Sequence, residues 1–102
     1  MSAEKILETW KAHVPPQVDL DDVLLVAREK FESVKTPTRG GHYKVSHGKL
    51  RKLAVANPEY MRDCPFGIFD IPTVSGRRVK RYYVKRMIEL INIIEQMAER
   101  GL

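Results

Sequence analysis

An arginine–glycine–glycine turn leads into a short alternating segment in the middle of the chain: Arg39-Gly40-Gly41-His42-Tyr43-Lys44-Val45. The two glycines predict a tight turn. The polarity then alternates as far as His47, which predicts a β-strand. Successive strand side chains point to opposite faces, so Tyr43 and Val45 would face a core while His42 and Lys44 lie together on the other face.

Two helices and a short strand are predicted before this turn. The first helix runs from Ala3 to about Val14 with Ser2 as its cap, and Pro15-Pro16 ends it. Asp19 is expected to cap the second helix, in which apolar residues recur at helical spacing as far as Phe31. The strand spans residues 33–36 and ends at a proline.

The chain after His47 is harder to interpret. A short helix is predicted over Lys49–Ala56, and residues 48–66 are otherwise unassigned. A further strand is expected over residues 67–74, where Pro72 predicts an edge position or an early end. A Ser75-Gly76 turn then precedes a long helix from about Lys80 to Arg100.

The long C-terminal helix carries more apolar residues than one small core requires. Leu90, Ile93 and Met97 lie beside its main apolar stripe and need a cover. Trp10 favours the N-terminal helix as that cover. The alternative is a partner, in a homodimer or a hetero-complex formed through this helix.

Length and composition limit the class of protein. The 102 residues are enough for a single domain with one core. No segment reaches the roughly 18 uninterrupted apolar residues of a membrane span, and the N-terminus lacks the pattern of a signal peptide. Because Cys64 is the only cysteine, we expect a reducing compartment, most simply the cytoplasm.

Positive charge is concentrated in the middle of the chain. Residues 39–86 carry twelve basic and three acidic side chains, a net charge of +9, whereas residues 1–38 and 87–102 each carry −2. A basic centre that also contains tyrosines is typical of a surface that binds the phosphates and bases of nucleic acid. The alternative is a solvated charged surface without a partner.

Three segments together resemble the HicA family of bacterial toxins. The glycine turn with His42 is similar to the turn and histidine-bearing strand of that family. Phe69-Asp70-Ile71-Pro72 is similar to its last strand, and residues 76–87 to the start of its C-terminal helix. The resemblance covers most of residues 19–100. The turn differs from the family's usual Gly-Ser sequence, and the connection over residues 48–66 is longer than a plain hairpin.

The resemblance implies a fold and a partner. The fold is α+β, a small two-layer domain of the double-stranded-RNA-binding-domain type, in which a three-stranded antiparallel sheet carries helices on one face in the order α-β-β-β-α. Residues 17–102 would form this core, and residues 1–16 would add an N-terminal helix. The implied function is a metal-independent mRNA endonuclease, the toxin of a toxin–antitoxin pair, with RNA as substrate and a HicB-like antitoxin as partner.

His42 is the implied catalytic residue, and the chemistry agrees with its type. RNA carries its own nucleophile, the 2′-hydroxyl group, and an imidazole titrates close enough to neutral pH to accept its proton. Either Lys44, on the same strand face, or Arg39, at the start of the turn, would neutralise charge on the phosphate in the transition state. The remaining candidate RNA-binding residues are those of the turn and of the basic segments: Arg39, Gly40, Gly41, Lys49, Arg77, Arg78, Lys80, Arg81, Lys85 and Arg86.

Several alternatives compete with this interpretation. His42 could be a surface histidine without a role, and the same fold could bind RNA without cutting it or act as a DNA-binding regulator. The histidine and cysteine spacings match no zinc or iron framework, so we expect no metal and no cofactor. Nothing places a histidine beside Cys64, which argues against a nucleophilic cysteine. For Asp70, an ion pair with a nearby arginine is favoured over catalysis.

Overall fold

The computed structural model describes residues 2–38 and 41–102, which form helices and short strands. In chain order the elements are α1 (Ala3–Ala12), β1 (Gln17–Asp19), α2 (Leu20–Lys30), β2 (Ser33–Lys35), β3 (His42–Ser46), α3 (Gly48–Ala56), β4 (Ile68–Pro72), β5 (Arg78–Lys80) and α4 (Arg81–Glu99). Within these described residues, no helix is long and apolar enough to cross a membrane.

Strand β3 forms the centre of a three-stranded antiparallel sheet, ordered β2-β3-β4. Val45 pairs with Val34 on one side and with Phe69 on the other. Val45 and Phe69 are buried, as is Ile71, so one face of the sheet lies on the core. The predicted sheet and the α+β class are therefore confirmed. Pro72 is the last residue of β4, an edge strand, as a proline in a sheet requires.

A second, two-stranded sheet was not predicted. Strand β1 pairs antiparallel with β5, and Val18 lies opposite Val79 with both side chains buried. Each of these strands is three residues long and runs directly into a helix, so no turn signal separates it from that helix in the sequence. The last helix was expected from about Lys80, but Lys80 and Arg78 belong to β5 and Arg77 to the turn before it, so α4 begins at Arg81. The turn uses left-handed backbone at Ser75 (φ 55°) and Gly76 (φ 70°).

Helix α1 is part of the core. The Ser2 hydroxyl accepts a hydrogen bond from the Lys5 backbone N–H at 3.2 Å, so the predicted cap is confirmed. The helix ends at Ala12, earlier than expected, because His13 is extended and Val14 precedes a proline, which disfavours helical backbone. On α2, Lys30 forms ion pairs with Glu4 of α1 and Glu95 of α4.

The apolar surface of α4 is covered within the chain. Leu90 and Ile91 are fully buried, and Ile93 and Met97 are half-buried. Trp10 of α1 lies in the same groove as Ile88 of α4, so the N-terminal helix supplies part of the cover. Little of this apolar surface is therefore left for the dimer or hetero-complex considered as an alternative.

His47 begins α3 in a way the sequence did not reveal. Its Nδ1 accepts a hydrogen bond from the Lys49 backbone N–H at 3.1 Å, and Glu32 accepts one from the Gly48 N–H at 2.7 Å. The predicted helix over Lys49–Ala56 is thus confirmed, with its missing cap supplied by a histidine. A 3-10 turn at Pro65–Gly67 then leads into β4.

Gly67 lies where the turn before β4 passes closest to α3. It has φ 79°, and a Cβ at this position would lie 2.4 Å from the Arg51 backbone nitrogen. Gly76 has a similar φ of 70° but open space around it. Alanine substitutions at the two positions therefore distinguish the free-energy cost of the backbone conformation, present at both, from that of a steric clash, present only at Gly67.

We expect Gly76→Ala to lower the free energy of unfolding by about 1–2 kcal/mol, the cost of left-handed backbone for alanine. Gly67→Ala should cost about 1–3 kcal/mol more, because it adds overpacking against α3. Urea denaturation of both variants measures the difference. Equal losses would mean that α3 does not pack against Gly67 as described.

Candidate functional site

The exposed face of the three-stranded sheet carries a cluster of His42, Lys44 and Asp70. Lys44 lies directly opposite Asp70 across β3 and β4, and His42 lies opposite Pro72. Along β3 the exposed residues His42 and Lys44 alternate with half-buried Tyr43 and buried Val45. The predicted presentation of His42 and Lys44 on one face is therefore confirmed.

Asp70 links the two candidate catalytic residues. Lys44 Nζ donates a hydrogen bond to Asp70 Oδ1 at 2.7 Å. His42 Nδ1 lies 3.9 Å from Asp70 Oδ2, which is too long for a hydrogen bond but close enough for an ion pair when the imidazole is protonated. The expectation that Asp70 pairs with an arginine is wrong, because the cross-strand register puts Lys44 beside it.

The cluster is open to solvent. The side chains of His42, Lys44 and Asp70 are 57%, 51% and 49% exposed. A large substrate can therefore reach all three at once, whereas a small molecule would find no enclosure. The arrangement supplies an imidazole for proton transfer, an ammonium group for a phosphate and a carboxylate that orients the ammonium group.

Gly41 connects β3 to the end of β4. Its carbonyl oxygen accepts a hydrogen bond from the Thr73 backbone N–H at 3.0 Å and a longer one from the Thr73 hydroxyl at 3.5 Å. Its φ of 114° is one that side-chain-bearing residues rarely adopt, so a glycine is needed there. The other two residues of the predicted turn, Arg39 and Gly40, lie outside the described residues.

The basic residues predicted to bind RNA divide into two groups. Four contact other parts of the fold: Arg78 pairs with Asp19, the Arg81 Nε–H donates to the Val14 carbonyl, Arg86 pairs with Asp63, and Lys49 contacts the Leu102 carbonyl. Three have exposed side chains that make no hydrogen bond or ion pair within the described residues: Arg77, Lys80 and Lys85.

Arg86 has the strongest of these internal contacts. Its Nε–H donates to Asp63 Oδ2 at 2.7 Å, and a second nitrogen donates to Asp63 Oδ1 at 2.9 Å. The hydrogen bonds to Asp63 raise the pKa of Arg86 above its ordinary value. This bidentate pair ties α4 to the segment between α3 and β4, so Arg86 stabilises the fold at a position where the sequence predicted a phosphate contact.

Two grooves lie on either side of the β5–α4 junction. The smaller, of about 200 Å³, is lined by Pro72, Thr73, Val74, Lys80 and Tyr83. The larger, of about 510 Å³, lies between the end of α1 and α4, with basic side chains that include Lys11 and Lys85. Neither groove was evident in the sequence, because each combines residues from elements whose relative positions only the fold determines.

The other titratable groups considered in the sequence lie away from this cluster. His47 lies one residue beyond the end of β3, where it caps α3. Cys64 is fully buried, and burial raises the pKa of its thiol to about 11, so the thiolate of a nucleophile is disfavoured. The described residues contain no group of three metal-ligating side chains.

Comparisons with protein-family models, with curated proteins and with solved structures find no match to this chain. Any functional argument therefore depends on the chemistry of the site and on the charge around it.

We expect Arg86→Gln to lower the free energy of unfolding by about 2 kcal/mol, between the values for exposed and buried ion pairs, because it breaks the bidentate pair with half-buried Asp63. Lys85→Gln, one residue earlier and exposed, should change stability by less than about 0.5 kcal/mol. Urea denaturation compares the two. Equal stability of both variants would contradict a structural role for Arg86.

The buried thiol predicts a pH dependence of stability. In the unfolded chain Cys64 ionises near its ordinary pKa of 9.0, and in the folded chain near about 11. The folded state holds the proton more tightly, so this contribution to stability is complete below pH 9 and is lost as the pH rises towards 11. The stability difference between the wild type and Cys64→Ala should therefore decrease over this range. A constant difference would contradict the raised pKa.

Proposed function

We propose that this chain is a metal-independent RNA endonuclease of the HicA type, the toxin of a toxin–antitoxin pair. The observation that carries the proposal is the exposed group of His42, Lys44 and Asp70 on one sheet face, within a segment whose net charge is +9. A histidine, a cation and an open surface are what cleavage through the 2′-hydroxyl group of RNA needs from a protein.

In the proposed reaction the 2′-oxygen attacks the adjacent phosphorus, and the bond from phosphorus to the 5′-oxygen of the next nucleotide breaks. His42 accepts the proton of the 2′-hydroxyl group or, when protonated, donates one to the leaving oxygen. A 2′,3′-cyclic phosphate and a 5′-hydroxyl end result. No metal is needed, because the nucleophile belongs to the substrate.

Lys44 and Asp70 have supporting roles in this scheme. The Lys44 ammonium group, oriented at 2.7 Å by Asp70, can turn one of its remaining donors to a phosphate oxygen. Asp70 Oδ2 lies 3.9 Å from His42 Nδ1, so its carboxylate stands beside both the imidazole and the ammonium group. Arg39, at the start of the turn, is a second candidate to neutralise the phosphate.

Exposed residues of the β5–α4 segment are candidates for contacts to the rest of the RNA. Arg77, Lys80 and Lys85 carry exposed positive charges for phosphates. Tyr82 exposes 64% of its surface and can stack on a base. The order α2-β2-β3-β4-α4 is the order expected of a double-stranded-RNA-binding-domain-like core, although β1 precedes it and α3 and β5 lie between its elements.

The proposal extends to partner and location through the family resemblance. A HicB-like antitoxin would cover the sheet face that carries His42, and the free toxin would act on mRNA in the cytoplasm. Binding of RNA without cleavage is the second candidate. One observation favours it: the distance of 3.9 Å between His42 Nδ1 and Asp70 Oδ2 is too long for a hydrogen bond that would fix the imidazole ring.

The test is incubation of the purified protein with mixed RNA in EDTA, with products analysed on a denaturing gel. We expect cleavage to persist in EDTA and to fall at least about 100-fold in His42→Ala, the loss typical of a missing general acid–base group. His13→Ala is the matched control, because His13 is also an exposed histidine, and it should cleave as the wild type does.

The substrate supplies a second control. An RNA with a single 2′-deoxynucleotide at the cut should resist cleavage there, because it lacks the nucleophile. Equal RNA binding by wild type and His42→Ala without any products would support the binding module and reject the nuclease.

A further inference from the structure

A groove of about 200 Å³ lies between the end of β4 and the start of α4. Pro72, Thr73 and Val74 form one wall, and Lys80 and Tyr83 form the other. The two walls are fixed to each other, because the Val74 backbone N–H donates to the Arg78 carbonyl at 2.7 Å. The groove is therefore a built part of the β4–β5 hairpin.

The groove begins next to His42. Pro72 is the cross-strand neighbour of His42, and the adjacent Thr73 donates hydrogen bonds to the Gly41 carbonyl. Strand β4 thus connects the candidate catalytic face directly to the groove. A strand of RNA whose phosphate lies at His42 has its neighbouring nucleotide within reach of Thr73.

The ring of Tyr83 is held in place on the far wall. Its centre lies 6.4 Å from that of Phe69, in a tilted arrangement, and 5.0 Å from that of Tyr82, in an edge-to-face arrangement. A half-buried aromatic ring with two aromatic neighbours keeps its orientation without a ligand. Such a rigid ring is suited to contact a base at a low cost in conformational entropy.

Two polar groups at the groove can contact the polar parts of a nucleotide, its base edge and its phosphate. The Thr73 hydroxyl makes only a 3.5 Å contact with the Gly41 carbonyl, so it can exchange this contact for a better one with the edge of a base. Lys80 is exposed and has no ion pair within the described residues, so its charge is available for a phosphate. An aromatic ring, a hydroxyl group and a cation surround a space suited to one base.

We propose that this groove binds the nucleobase next to the cleaved phosphate in single-stranded RNA and sets the base preference of the enzyme. The inference rests on the proposed nuclease function. Tyr83 supplies a contact that any base can make, whereas Thr73 distinguishes bases by the hydrogen-bonding groups on their edges. Single-stranded RNA is required because a paired and stacked base offers neither its Watson–Crick edge nor a free face.

The test uses short RNAs that differ only in the base beside the cut, together with one RNA that is abasic at that position. We expect the wild type to prefer one base, and Thr73→Val to reduce the ratio of kcat/KM between preferred and other bases by about five- to tenfold, the value of one hydrogen bond. Cleavage of the abasic RNA should be equal in both proteins. Thr9→Val, on α1, is the control and should leave the ratio unchanged.

Two results would overturn the inference. One is that Thr73→Val leaves the ratio of kcat/KM between bases unchanged. The other is that Thr73→Val lowers kcat/KM equally on normal and abasic RNA, which would indicate a general structural effect. Tyr83→Leu should weaken cleavage of every normal RNA while leaving the ratio among bases intact. Circular dichroism checks that each variant is folded.

Binding measurements separate failure of this inference from failure of the proposed function. Dissociation constants of the same RNAs are measured with His42→Ala and with His42→Ala combined with Thr73→Val. If affinity depends on the base and Thr73→Val removes this dependence, the groove binds the base even if no RNA is cleaved. Equal affinity for normal and abasic RNA overturns it, whatever the result of the cleavage assay.

Discussion

The pairing of β3 with β4 is the constraint on which the rest of the structure depends. Val45 is buried against Phe69 on the core face, and the same register brings Lys44 to Asp70 on the solvent face. A shift of one residue would move every side chain of the strand to the other face. The burial of a few apolar side chains therefore determines where the charged cluster lies.

The β1–β5 pair imposes a second constraint of the same kind. It joins residues 17–19 to residues 78–80, and a backbone hydrogen bond of 3.0 Å from Arg81 to Pro16 continues the connection. This pairing fixes the point at which α4 begins. It thereby sets Tyr83 and Lys80 opposite the end of β4 and forms the groove beside His42.

The positive charge of the central segment serves more than one purpose. Arg81 and Arg86 direct their donors to carbonyl and carboxylate groups within the fold, whereas Lys80 and Lys85, each one residue before them, remain exposed. A net charge of +9 therefore overstates the surface available to a polyanion. Lys80 lines the groove beside Thr73, where its charge is available to a bound RNA strand.

The sequence alone was sufficient to predict the local structure and the two residues of the cluster that lie on β3. Alternation around Val45 predicted β3 and the shared face of His42 and Lys44, and caps and prolines located the ends of most helices, because these signals depend on neighbouring residues only. The role of Asp70, the β1–β5 pair and the groove at Tyr83 were decided by tertiary structure. Each depends on a register or a contact between segments distant in the chain, and the free energy that selects it comes from the burial of the whole core.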